Sequence, residues 1–208
     1  MSLKSTRPNA EPTRTPPRRL LEDPLAIRAL AHPIRLALQS IVSRSGRVTA
    51  AEAARQLGIS QALATHHLRQ LAKYGFVEQV AGDDRRARPW QSVSPSFDFD
   101  ATAASSETAA AGAILEQVSV ERALSEFLDW QQRRAEWSED WQRASGVSLH
   151  TGYLTSTELA ELGREVNELV STYMNRRPVS EGGSRVAHAA PVDITVVVVP
   201  AGQAPEPA

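Results

Sequence analysis

The chain has 208 residues, 41% of them hydrophobic and none of them cysteine, a size and content that suit one small domain plus a second compact piece. Its net charge of −1 hides two unlike halves: residues 1–90 carry 15 Lys and Arg against 7 Asp and Glu, a net of +8, and residues 91–208 carry 8 against 17, a net of −9. A basic front half suits a polyanion and an acidic back half does not, and the lack of cysteine excludes disulfides and thiol redox sensing and fits a reducing cytoplasm.

Residues 1–21 are rich in Pro, Arg and Thr without apolar periodicity, and are expected to be a disordered basic arm. Asp23 as N-cap and Pro24 at the first helical position mark the start of ordered structure. Leu25, Leu30, Ile34, Leu38 and Ile41 then supply apolar positions. His32, just ahead of Pro33, suits a helix start that hydrogen-bonds locally better than it suits a metal ligand.

Thr49 and Glu52 form a capping box that opens a helix at Ala50, and Gly58 ends it. Ser60 caps the next helix, so Gly58, Ile59 and Ser60 make the turn between two helices. At 100° per residue, Leu63, Ala64, His67, Leu68 and Leu71 of the second helix share one side, and His67 is expected as a satisfied core histidine. Ala62, Thr65, His66, Arg69 and Lys73 share the other side, flanked by Gln61 and Gln70. That outer face suits the major groove. Its small residues admit close approach, Gln and Arg make bidentate contacts to base edges, and Lys suits a phosphate.

After Gly75 the period shortens, residues 81–84 supply turn residues, and residues 88–93 return as a second strand. This hairpin is expected as a wing, whose Arg85, Arg86 and Arg88 face a phosphate backbone or a minor groove beside the opposing Asp83 and Asp84.

LAHPIRLALQSIV at residues 30–42 and LGISQALATHHLRQLAKYGFVE at residues 57–78 together resemble the ArsR-type winged-helix transcriptional regulators of bacteria, over residues 24–94. The resemblance implies a homodimer whose recognition helices enter successive major grooves of a near-palindromic operator, with helices at both ends of the winged domain forming the dimer interface. Leu25, Leu30, Ile114, Leu115 and Val118 are the candidate dimer contacts. Many members sense metals through cysteines on the helix before the turn, or through Asp and His on a C-terminal helix. Here the matching helix offers only Glu52, residues 107–134 hold no histidine, and no metal site or cofactor is expected.

Residues 96–112 read as a linker, and residues 113–145 as a helical dimerisation region. Trp130, Trp137, Trp141 and Tyr153 concentrate aromatic surface, which suits either core packing or a pocket for a small-molecule effector. Residues 146–200 read as a small α/β element. In it, Leu154, Thr155 and Glu158 open a helix that places Leu159, Leu162, Val166, Leu169, Val170 and Tyr173 on one face, and residues 192–199 form a strand. That strand's partner is left open among residues 147–154, the wing sheet and a second subunit. Its apolar run at 194–199 is the longest in the chain and far too short to span a membrane, no signal-peptide stretch precedes it, and a cytoplasmic location follows; residues 201–208 read as a disordered tail.

The expected fold is therefore mainly α with small β, a winged helix-turn-helix domain at residues 22–95 carrying a C-terminal helical and α/β extension. No nucleophile elbow, phosphate-binding glycine loop or His-Glu metal helix occurs, so no catalytic residue is assigned. Two functions fit. One is a sequence-specific homodimeric regulator, a repressor, reading DNA through residues 61–74 and a wing at 76–93, with Ser60, Gln61, Ala62, Thr65, His66, Arg69 and Lys73 as contacts. The other is a winged-helix module for protein interaction or non-specific DNA binding.

Overall fold

The computed structural model describes residues 19–82, 88–94, 97–99, 105–175 and 188–201. In chain order these form β1 (Arg19–Leu21), α1 (Pro24–Leu30), α2 (Pro33–Ser45), β2 (Arg47–Val48), α3 (Ala50–Leu57), α4 (Gln61–Lys73), β3 (Val77–Gln79), β4 (Trp90–Ser92), β5 (Phe97–Phe99), α5 (Ser106–Gln132), a 3-10 turn (Arg134–Glu136), α6 (Glu139–Ala144) and α7 (Ser156–Asn175). The mainly helical fold with a small antiparallel sheet is the expected class.

Short polar side chains set the helix starts. Asp23 accepts the Leu25 N–H at 2.9 Å, and His32 Nδ1 accepts the Ile34 N–H at 3.2 Å. At α3 the capping box is complete: Glu52 Oε2 accepts the Thr49 N–H at 2.8 Å and Thr49 Oγ1 accepts the Glu52 N–H at 3.2 Å. Those bonds from Thr49 hold the Glu52 carboxyl below its usual pKa. Gly58, at φ 65°, then turns the chain in the left-handed region, and Ser60 Oγ accepts the Leu63 N–H at 3.2 Å to begin α4.

Strands β2, β4 and β3 form an antiparallel sheet with β4 central, in which Trp90 stands opposite both Val48 and Gln79. The core gathers Ile27, Leu38, Val42, Leu68, Leu71, Phe76 and Val77, all fully buried. α5 packs its first half along α1, burying Ala111 and Leu115.

Order begins earlier than the composition suggests. β1, inside the expected arm, pairs in parallel with β5, Arg19 opposite Phe97. The Arg19 guanidinium donates to the carbonyls of Gly75 at 2.7 Å and Tyr74 at 2.8 Å, and stands 5.1 Å from the centre of the Phe76 ring. These carbonyls follow the last turn of α4, where no intrahelical donor reaches them. The expected linker at 96–112 is likewise structured in part, since β5 lies in it and α5 starts at Ser106, with Thr108 and Ala111 buried.

Three further expectations are corrected. Leu30 and Leu115, expected at a dimer contact, are each only 3% exposed within their own chain, whereas Leu25 at 55% and Ile114 at 48% remain outside and Val118 is half-buried. Leu63 lies on the rim of α4 and is exposed. Residues 192–199 form no strand in the single chain: their valines face solvent, and among the described residues no strand edge takes them up, while Asp193 pairs with Arg44 at 3.0 Å.

Arg19→Ala is expected to lower unfolding free energy by about 1–3 kcal/mol, because two carbonyls lose a charged donor. Chemical denaturation followed by far-ultraviolet circular dichroism checks it, and an unchanged midpoint would show the clamp to be dispensable. Gly75→Ala should act in the same direction, since φ is 70° and a Cβ would sit 3.2 Å from Arg19 Nη1.

Candidate nucleic-acid interface

The inner face of α4 buries Ala64, His67, Leu68 and Leu71, and this burial turns the opposite face outward. Gln61, Ala62, Thr65, His66 and Arg69 line one open concavity there. The structure thus brings together five of the expected contacts.

Others play more local parts. Ser60 uses its hydroxyl as the cap of α4, and Thr65 Oγ1 donates to the Gln61 carbonyl at 2.8 Å, which leaves its oxygen lone pairs as acceptors. Lys73 ends the helix with its ammonium 5.5 Å from the Tyr74 ring centre. Among the described residues, the ion pairs engage other arginines, so no carboxylate neutralises Arg69 or Lys73.

On the wing, Arg88 is exposed; Arg85 and Arg86 lie outside the described residues, as do Asp83 and Asp84. The base of the wing is tied to α2 through a buried amide. Gln39 Nε2 donates to Ser92 Oγ at 3.0 Å and to Ser43 Oγ at 3.3 Å, and Ser92 Oγ donates to the Ser94 carbonyl at 2.8 Å. This polar contact fixes β4 against α2, a link between residues 53 positions apart that no local pattern reveals.

Behind the outer face lies a histidine cluster. His67 is buried as expected, yet its Nδ1 has no hydrogen-bond partner, so it is not the satisfied core histidine the pattern suggests. Its ring centre is 4.8 Å from that of His32 and 5.3 Å from that of His66. Arg35 lies on the same side, donating to the carbonyls of Ala29 and, at 3.0 Å, Arg28 at the end of α1. Burial first, and then the Arg35 charge, push the His32 pKa down; burial, then His32, Arg35 and His66, push that of His67 down.

The aromatic residues do not converge. Trp137 and Trp141 meet edge to face at 5.6 Å, Trp130 stacks on Phe127 at 6.0 Å under Arg134, and Tyr153 is fully exposed. Among the described residues, no group of three or more His, Asp or Glu is placed to hold a metal ion. No single described helix is long and apolar enough to cross a membrane.

Comparison with known proteins finds a family described as "Helix-turn-helix domain" at residues 30–80. No curated protein matches the chain. Among solved structures it is similar to wild-type MarR from E. coli in its apo form, at 16% identity over 71% of this chain and 87% of that one, with a TM-score of 0.31. It is also similar to Streptococcus pneumoniae FabT in complex with DNA, at 14% identity over 69% of this chain and 76% of that one, with a TM-score of 0.28. A mutant of Lactococcus lactis ZitR is 13% identical over 82% of each chain, with a TM-score of 0.27. Likenesses this remote say nothing of function. The helix-turn-helix match, running from the end of α1 past β3, supports a DNA-binding transcription regulator.

The histidine cluster sets a pH dependence with a definite sign. Folded-state pKa values below 6.5 for His32 and His67 mean that the unfolded chain takes up protons first, so stability present above that pH is lost as pH falls through it. Protonation at His32 Nδ1 also removes the acceptor that caps α2. Unfolding free energy should drop between about pH 7.5 and 5.5, a window in which carboxylates stay charged. His67→Leu should flatten that profile; a flat wild-type profile would contradict it.

Proposed function

We propose that the chain is a sequence-specific DNA-binding transcription regulator of the ArsR winged-helix type, acting in the cytoplasm as a homodimeric repressor on an inverted-repeat operator and responding to a signal other than a metal. The observation that carries this reading is the outer face of α4: Gln61, Ala62, Thr65, His66 and Arg69 line one concavity on a helix whose other face is core. A planar guanidinium and a terminal amide on one ridge match the donor and acceptor edges of guanine and adenine, and Ala62 leaves room for the ridge to enter the groove.

Lys73 at the end of the same helix and the exposed Arg88 of the wing add cations for the phosphate backbone. The +8 charge of residues 1–90 favours approach to DNA, and the −9 charge of the remainder keeps the back half off it. The DNA-reading unit is proposed at residues 22–95, with β1 and the start of α5 packed against it, and the dimerisation region at residues 113–145.

Selection of duplexes from a random pool at near-physiological salt tests the reading: an inverted repeat with half-sites about one helical turn apart is expected, and an unenriched pool would overturn it. On the selected site, Arg69→Ala should lower the ratio of specific to random affinity by about 1–3 kcal/mol, and an unchanged ratio would remove Arg69 from base readout. Lys73→Ala should instead weaken both affinities alike and reduce the slope of log affinity against log salt by about 1. Titrations at several salt concentrations separate the two behaviours.

A further inference from the structure

Thr65 stands in the middle of the outer ridge of α4, with Gln61 one turn before it and Arg69 one turn after, and all three line the same concavity. The three side chains differ in what they offer a base edge. Arg69 has donors only, and the Gln61 amide carries both a donor and an acceptor group. A threonine is ordinarily the ambiguous member of such a set, since a free hydroxyl donates to a keto oxygen as readily as it accepts from an amino group.

Here the ambiguity is removed inside the helix. Thr65 Oγ1 donates its single proton to the Gln61 carbonyl at 2.8 Å, which holds the side chain against the preceding turn and leaves only lone pairs for an outside partner. Donating to DNA would mean giving that bond up. Ser60 at the start of the same helix is in the opposite condition: its Oγ accepts the Leu63 N–H at 3.2 Å and keeps its proton, which suits a phosphate oxygen.

A group that only accepts sorts base pairs in one way. In the major groove the adenine N6 and cytosine N4 amino groups are donors, whereas thymine O4 and guanine O6 in the corresponding places are acceptors. Set against Thr65, the first two complete a hydrogen bond and the last two bring oxygen against oxygen. The rise of the helix fixes the order of the contacts: four residues span about 6 Å, nearly two base steps of about 3.4 Å. The base met by Thr65 therefore lies between those met by Gln61 and Arg69.

We infer that Thr65 is a specificity-determining residue that accepts from the exocyclic amino group of a base, and so requires adenine or cytosine, on one strand, at a position inside the bound site. The inference rests on the sequence-reading function proposed above and specifies part of the operator. It makes adenine and cytosine interchangeable at that position, whereas a bidentate Arg69 contact selects guanine alone.

Selection from random duplexes, run side by side for the unmodified chain, Gln61→Ala, Thr65→Val and Arg69→Ala, tests it. In the site bound by the unmodified chain, the position between those altered by Gln61→Ala and Arg69→Ala should hold adenine or cytosine on one strand. Guanine and thymine there should bind about three- to tenfold more weakly. Thr65→Val keeps the branched shape and loses the oxygen, a change that costs a helix surface little, and it should lose that preference. An enriched site that holds guanine or thymine at that position, or a preference that survives in Thr65→Val, would overturn the role of Thr65 while leaving sequence reading intact. An unenriched pool for the unmodified chain would overturn both.

Discussion

The outward side of α4 is useful only because its inward side is dry. Leu68 and Leu71 are wholly removed from water among Ile27, Leu38, Val42 and Phe76, each contributing on the order of 2 kcal/mol of burial. That packing sets the rotation of the helix about its axis, so the backbone that carries Gln61, Thr65 and Arg69 is fixed on folding and turns them to one side. Neighbouring contacts serve the same end: α3 is capped at its start and turned sharply at Gly58, and Arg19 holds the carbonyls just beyond the end of α4.

Polar groups inside this small core hold its parts in register. Gln39 ties α2 to the wing strand through Ser43 and Ser92, and its Oε1 is left buried without a partner. His67 leaves Nδ1 in the same condition, one residue from the outward His66. Unpartnered buried polar atoms cost stability, and here both lie where the reading helix or the wing meets the body of the domain. The fold accepts that cost at the joints of α4 and the wing with the body, while the centre around Phe76 and Leu38 is apolar.

The two halves of the chain solve burial differently. Residues up to the first half of α5 close a core on themselves. Beyond it, Val120, Leu124 and Leu128 on α5, Leu162 and Leu169 on α7 and the valines of residues 196–199 are exposed. An apolar surface that extensive is unusual for a chain that works alone and suits one that associates. The opposite charges of the halves favour contact with a polyanion at the front half.

Much of the winged domain was legible from local signals, because caps, turns and helix faces depend on residues within one or two turns of each other. Asp23, Thr49 with Glu52, Gly58 and Ser60 each act where the pattern put them, and the division of α4 into inner and outer faces holds except at Leu63 on its rim. What escaped local reading depends on residues distant in sequence. The pairing of β1 with β5, the clamp of Arg19 on the end of α4, the His32 and His67 contact and the Gln39 link to Ser92 are all long-range. The strand expected at 192–199 failed for a related reason: β-branched composition supplies a propensity, but a strand exists only where a second edge accepts its hydrogen bonds. By itself the sequence determined which faces are apolar and where helices begin. Only the tertiary structure decided which of those faces meet within one chain, burying Leu30 and Leu115 and leaving Leu162 and Leu169 exposed, because burial depends on the geometry of the whole chain and not on the pattern of one segment.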